Sequence, residues 1–271
     1  MLFHCFSGNF QAALHLDSLI SRLMYKFGAN FEPPRGSASV PHLETKNLSK
    51  INRHLRRLFW AVYIIDKELS IRMGQPAAIQ DEACDLTIPQ GYGDLLFDIQ
   101  LLKASSPRGL RDCLYLTDLR LIKIKSRIYK VIYSQQAMQQ PDACLIKTVR
   151  DLDEELEEWR LSIPLQHRPS LSTVAQQVAN TDLPFILHAV NLQMDYYHCL
   201  TMIHRACCRC TVWSGGCTTV FNGIRTSLKL AAQSSRASLT VLQNVLPKLP
   251  SGIFWYGKLC PRLYSQHLPL C

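Results

Sequence analysis

The 271 residues predict an all-α fold: a multi-helix globular domain with one central apolar helix and long loops. Three observations carry this. Apolar side chains recur at three- and four-residue steps through several long stretches, the spacing that aligns them on one helix face. Glycine and proline mark the ends of several of those stretches, as at Gly28, at Gly74 with Pro76, and at Pro247 with Pro250. No alternating apolar–polar run reaches the length of a convincing strand, and no internal repeat occurs.

Taken in order, Asn9 is placed to cap a first helix whose stripe is Ala13, Leu16, Ile20, Leu23 and Phe27, with Gly28 at the left-handed position that ends it. Residues 31–46, with Pro33, Pro34, Gly36 and Pro41, read as a loop. The central helix is predicted from about Ser49 to Met73. Ile51, Leu55, Leu58, Val62, Ile65 and Leu69 form its stripe, and Phe59, Trp60 and Tyr63 widen its apolar surface. Gly74 and Pro76 terminate it. Residues 77–92, acidic and bracketed by Pro76 and Pro89, are expected to lie extended over the domain. Another helix is predicted over 110–138, with a stripe of Tyr115, Leu119, Ile122, Ser126, Tyr129 and Tyr133. The next runs over 142–161, with Leu145, Val149, Leu152, Leu156 and Trp159. Their short link predicts antiparallel packing, with the basic Arg120, Lys123, Arg127 and Lys130 set against the acids between Asp151 and Glu158. After a polar linker, Asp182 opens a helix with a stripe from Ala189 to Ala206. Thr218 opens the last, which reaches Leu246.

Composition excludes several classes. Hydrophobic residues make up 47% and charged residues 19%, too apolar for a disordered chain. No uncharged apolar run approaches the roughly 18–20 residues that span a bilayer, and Met1 to Phe6 lacks the basic start of a signal peptide. The reading is therefore an intracellular chain with no membrane partner. Eleven cysteines, odd in number and irregularly spaced, predict buried reduced thiols rather than a disulfide framework. The net charge of +9 permits an acidic partner, though most such surpluses are solvated surface.

The most specific block is Arg56-Arg57-Leu58-Phe59-Trp60-Ala61-Val62-Tyr63-Ile64-Ile65-Asp66, followed by Gly74-Gln75-Pro76 and by Asp85-Leu86-Thr87-Ile88-Pro89. It resembles the regulatory domain of fungal zinc binuclear cluster transcription factors, the xylanolytic-activator-like or middle homology region. The family's Arg-Arg start, Phe/Trp-Trp pair, Tyr-x-x-Asp centre, Gly-x-Pro and acidic segment ending in Pro occur here in order. Looser flanks, including Tyr197-His198 and Ile203-His204-Arg205, extend the resemblance over about 9–255. It implies a regulatory domain over 1–255, truncated at its N-terminus, and a divergent, poorly ordered tail over 256–271. It also implies nuclear control of genes transcribed by RNA polymerase II. DNA would be bound only through a zinc cluster absent from this chain, with a homodimer, co-regulators or a small-molecule effector as further partners. Asp66 flanks the apolar stripe, so a buried carboxylate there needs a partner: Arg57, Arg56 or backbone donors of the segment after Pro76.

Two patterns suggest other chemistry. Cys207, Cys210 and Cys217 match half of a zinc-cluster spacing, but the interval Thr211–Gly216 is uncharged and no second half follows, so they are weak candidates for metal ligands. Asp81-Glu82-x-x-Asp85 resembles the aspartate-rich motif of Mg-dependent terpenoid synthases, which needs a helix to put both carboxylates on one face. Here it lies between Pro76 and Pro89. No nucleophile elbow, phosphate-binding glycine loop or His-Glu-x-x-His occurs, and no catalytic residue is expected. The remaining alternative is an all-helical interaction module with no transcriptional role.

Overall fold

The computed structural model describes residues 1, 4, 7–32, 42–88, 92, 117–171, 183–210 and 218–245. Every regular element among them is helical. These are α1 (Phe10–Lys26), α2 (His42–Met73), α3 (Leu119–Ile128), α4 (Gln135–Met138), α5 (Asp142–Leu161), α6 (Leu183–Arg205) and α7 (Thr218–Val245). A single π turn, Tyr129–Tyr133, follows α3, and 3-10 turns cover Asp81–Ala83 and Ala206–Arg209. The chain divides into two compact units, 1–90 and 91–271.

In the first unit α1 packs on α2. Asn9 caps α1 as its sequence predicts, accepting the Ala12 N–H at 3.2 Å, and Gly28 takes φ +63° just past the helix end. The face that α1 buries differs from the expected one. Ala13, Asp17, Ser21 and Met24 point inward, while Leu19, Leu23 and Phe27 are exposed. The helix is turned about a quarter of a revolution from its apolar stripe, because Asp17 and Tyr25 both bond into the α2 side of the unit. The second helix begins at His42, seven residues ahead of the predicted start; residues 42–48 contain no glycine or proline to interrupt it. Its core is the wider aromatic surface. Phe59, Trp60, Val62, Tyr63 and Leu69 are buried, whereas Ile51 and Leu58 of the predicted stripe are exposed. Trp60 meets Phe59 and Tyr63 edge-on, with centroids 5.6 and 5.5 Å apart, the arrangement the ring quadrupoles favour.

In the second unit α3 starts at Leu119, not near residue 110: Asp118 is non-helical and its carboxylate caps the Arg120 N–H at 2.9 Å. Residues 93–116 lie outside the described residues. The helix also ends early. Ser134 donates back to Tyr129 O across five residues, closing the π turn, and then caps α4 through its hydroxyl. As predicted, α3 and α5 run antiparallel. Asp118 at the start of α3 accepts from the Trp159 indole at 2.9 Å near the end of α5, and Arg127 pairs with Glu155 at 2.7 Å. Leu121, Ile122, Ile128, Leu152 and Leu156 fill the space between. The last two helices pack closely because α7 presents Ala231, Ser234, Ala237 and Ser238, all small and buried. The Ser234 hydroxyl reaches Tyr197 O at 2.8 Å.

At the centre of this unit Lys125 and Asp195 are fully buried and paired. The Asp195 carboxylate also accepts the Thr117 hydroxyl at 2.5 Å. The basic pattern of α3 gave no sign that Lys125 faces inward while its neighbours do not. An ammonium in that position is tolerated only while its counter-charge remains, since removing one partner of a buried pair costs about 3–5 kcal/mol. Asp195→Asn should therefore lower the unfolding free energy by roughly 3 kcal/mol in urea titrations. A loss under about 1 kcal/mol, the value of a surface pair, would mean that Lys125 is not charged in the folded protein.

Candidate functional site

The motif residues converge on the segment that follows α2. Gly74 takes φ +63°, a left-handed turn that a side chain would strain, and Ser70 Oγ donates to Gln75 O at 2.7 Å. The chain then doubles back along its own helix. There the carboxylate of Asp66 accepts two successive backbone N–H groups, Ala78 at 2.7 Å and Ile79 at 3.1 Å. Of the partners open to Asp66 in the sequence, the backbone donors are the ones it uses. Ile79 is anchored in the core, almost wholly buried.

Lys67, which the motif reading missed, completes the clasp. Its buried ammonium donates to Ile79 O and lies 3.2 Å from Asp66 and 3.1 Å from Asp81. It also sits 4.8 Å above the Tyr63 ring, whose hydroxyl donates to Asp81 at 3.1 Å. One signal was available: Lys67 is four residues from Tyr63, so the two share the aromatic face of the helix. Arg56 acts at the other end of the segment. It donates to Ala29 O, Asn30 O and Asp85 O and lies over Phe59 and Trp60 at 4.8 and 5.1 Å. Asn30 adds a bond to Ala83 O at 2.7 Å and accepts the Asp85 N–H at 2.8 Å. Tyr25 accepts the Gln80 N–H at 2.9 Å. Arg57 is half-buried on α2, Pro76 is exposed, and Pro89 lies outside the described residues.

The acids of the segment serve the chain itself. Asp85 accepts the Thr87 N–H at 2.9 Å, and its bonds to Thr87 hold its pKa below the usual value. Asp81 lies in a 3-10 turn and Asp85 beyond it, so the two do not share a helix face. Among the described residues no three His, Cys, Asp or Glu side chains are grouped to hold a metal ion. Cys207 and Cys210 are buried at the 3-10 turn after α6. Burial raises both thiols, that of Cys210 to about 11, away from the thiolate form that binds zinc. Cys217 lies outside the described residues.

Asp17 closes the site from α1. It is buried beside Asp66, and burial first, then the Asp66 charge, raise its pKa from 3.8 to about 8. A folded-state pKa above the unfolded one means that folding retains a proton. The stability this contributes is complete below about pH 4 and is lost as pH rises to about 8. Asp17→Asn keeps the hydrogen-bonding shape without the charge. The wild-type urea midpoint should fall relative to the variant's between pH 5 and 8.5; a constant difference would show Asp17 to be ionised throughout. Beside it, Asp66→Ala leaves the half-buried Ala78 N–H and the buried Ile79 N–H unpaired, the latter at roughly 1–3 kcal/mol. Melting monitored by Tyr and Trp fluorescence should show that loss, and an unchanged transition would rule out the clasp.

The family described as the fungal specific transcription factor domain matches residues 3–161. The chain is 32% identical over 209 residues to an ABC-transporter-regulating transcription factor of Aspergillus oryzae, covering 73% of this chain and 22% of the relative. It is 31% identical over 210 residues to the protein of the same description in Aspergillus fumigatus, with the same coverage. It is 26% identical over 149 residues to an uncharacterized transcriptional regulatory protein of Schizosaccharomyces pombe, covering 55% of this chain and 18% of that one. The chain thus spans about a fifth of the length of these relatives. No solved structure matches it. The clasped segment behind the Arg56–Asp66 block, together with these matches, places the chain in the fungal specific transcription factor domain family, as a regulatory domain of a fungal transcription factor.

Proposed function

We propose that this regulatory domain works in the nucleus within a larger DNA-binding factor, where it holds or releases an activation function in response to a metabolite or a protein partner, and that it catalyses no reaction. One observation carries this reading: the charged groups of its most specific motif are consumed in holding a backbone segment. Asp66 and Lys67 are almost fully buried and bonded to Ala78 and Ile79, and Arg56 is bonded to three carbonyls. A catalytic carboxylate or lysine needs access to a reacting atom. These groups instead position a surface strap whose state can report on what binds near it. Sequence-specific DNA binding and zinc both belong, on this reading, to a cluster outside these 271 residues, and dimerisation to the whole factor. Genes for ABC transporters are the first targets to test, since two Aspergillus relatives carry that role in their descriptions.

Reading bases requires side chains held against a groove. The net charge of +9 supplies only a salt-sensitive attraction. In gel shifts with random and selected duplexes near physiological salt, the chain should show no binding tighter than about micromolar and no sequence preference. The purified chain should carry far less than one zinc per molecule. Sub-micromolar, sequence-selective binding, or stoichiometric zinc lost in Cys210→Ser, would overturn the assignment of both tasks to another part of the factor.

A further inference from the structure

In the second unit, the turn after α6 carries a cation with an unfilled binding edge. Arg209 ends the 3-10 turn Ala206–Arg209 and reaches back to the π turn Tyr129–Tyr133. Its Nη1 donates to Ile132 O at 2.9 Å and meets the Met138 sulfur. A carbonyl in the last turn of a helix needs a partner from outside, and Arg209 supplies it. The guanidinium lies 5.7 Å from the centre of the Tyr133 ring. Its other two nitrogens, Nε and Nη2, are closed to water and have no acceptor among the described residues.

Nothing nearby neutralises this charge. Arg205, four residues earlier, meets the Met202 sulfur at 3.6 Å, and Tyr133 donates to Met202 O at 2.6 Å. Burial pushes the Tyr133 phenol up, and the Arg205 and Arg209 charges beside it oppose that shift. Among the described residues no carboxylate pairs with either arginine. Residues 129–141 and 196–217 contain no acid. A thioether sulfur is a weak, neutral acceptor, so Met138 and Met202 leave both guanidiniums charged and uncompensated.

We propose that the Nε–Nη2 edge of Arg209, at the π turn, binds a small organic carboxylate with an apolar body. A guanidinium does not lose its proton in a protein, and buried N–H donors without an acceptor are costly. Nε–H and Nη2–H project side by side from one edge of the planar group, and two parallel donors match the two oxygens of one carboxylate. A phosphate group brings more oxygens and more charge than this edge satisfies. The Tyr133 ring and the two thioethers flank the guanidiniums and suit an apolar body. Met138 is 53% exposed and unbranched, so it can turn aside to admit the ligand. The proposal rests on the effector reading above for the consequence of binding and not for its chemistry; gel shifts and a ligand titration succeed or fail independently.

The test titrates benzoate into the full chain by calorimetry, with benzamide and inorganic phosphate as comparison ligands. Benzoate should saturate with a Kd on the order of 1 mM, the scale for a ligand of so few atoms. Benzamide has the same shape without the charge and should bind at least about tenfold more weakly, because charge-assisted bonds are the stronger kind. Arg209→Lys keeps the charge and loses the fork, so its benzoate affinity should fall about tenfold while its melting changes little. In the wild-type protein the Arg209 Nε–H resonance should shift as benzoate is added, a readout that needs no variant. Five results would overturn the proposal. One is no saturation by about 20 mM, well above the expected Kd, and another is benzamide binding as well as benzoate. The third is full affinity in folded Arg209→Lys, and the fourth is an Arg209 Nε–H resonance that benzoate leaves in place. The fifth is phosphate binding more tightly than benzoate, which would assign the edge to a phosphate group instead.

Discussion

A carboxylate taken out of water must be surrounded by donors, and around Asp66 that requirement organises the first unit. Its two oxygens bind consecutive N–H groups of residues 78 and 79, so the chain leaving α2 has to reverse at Gly74 and return along the helix. Lys67 neutralises the same carboxylate and fastens the Ile79 carbonyl. Tyr63 and Asp81 complete the ring. Charge-assisted bonds of this kind are about twice as strong as neutral ones. Here they are spent on backbone groups that an extended surface segment would otherwise leave to water.

The same constraint explains the orientation of α1. Had α1 faced inward with its leucines, Asp17 would be in solvent and Tyr25 could not reach the Gln80 N–H. Instead a proton is held at Asp17 beside Asp66, and Ala13 and Ser21 fill the contact. Burying an acid in this way costs stability near neutral pH, while the leucines that could have contributed burial energy stay outside.

Buried acids also order the second unit, with different partners. Asp118 caps the first turn of α3, takes the Arg120 guanidinium at 2.7 Å and the Trp159 indole at 2.9 Å, and thereby ties the start of α3 to the end of α5. Asp195 binds Lys125 and Thr117 from within α6. Pairs of this type add little net stability over apolar residues of the same volume, but a misplaced register leaves them unpaired at a cost of several kcal/mol. They hold the helices to one alignment where leucine contacts alone would accept several.

Helix class, the approximate helices, the caps at Asn9 and Gly28, the turn at Gly74 and the family block were legible in the residues themselves. Each depends on local propensity or spacing within one segment, and 3.6-residue periodicity survives any tertiary context. The antiparallel pairing of α3 with α5 was legible for a related reason, a link too short to permit anything else. The burial of Lys125 and Lys67, the inward face of α1, the choice among Asp66's possible partners and the early end of α3 at Tyr129 were decided only by the tertiary structure. A lysine or an aspartate has the same side chain on a solvated face as in a core. Which state it adopts depends on a partner 12 to 70 residues away, and no local pattern encodes that distance.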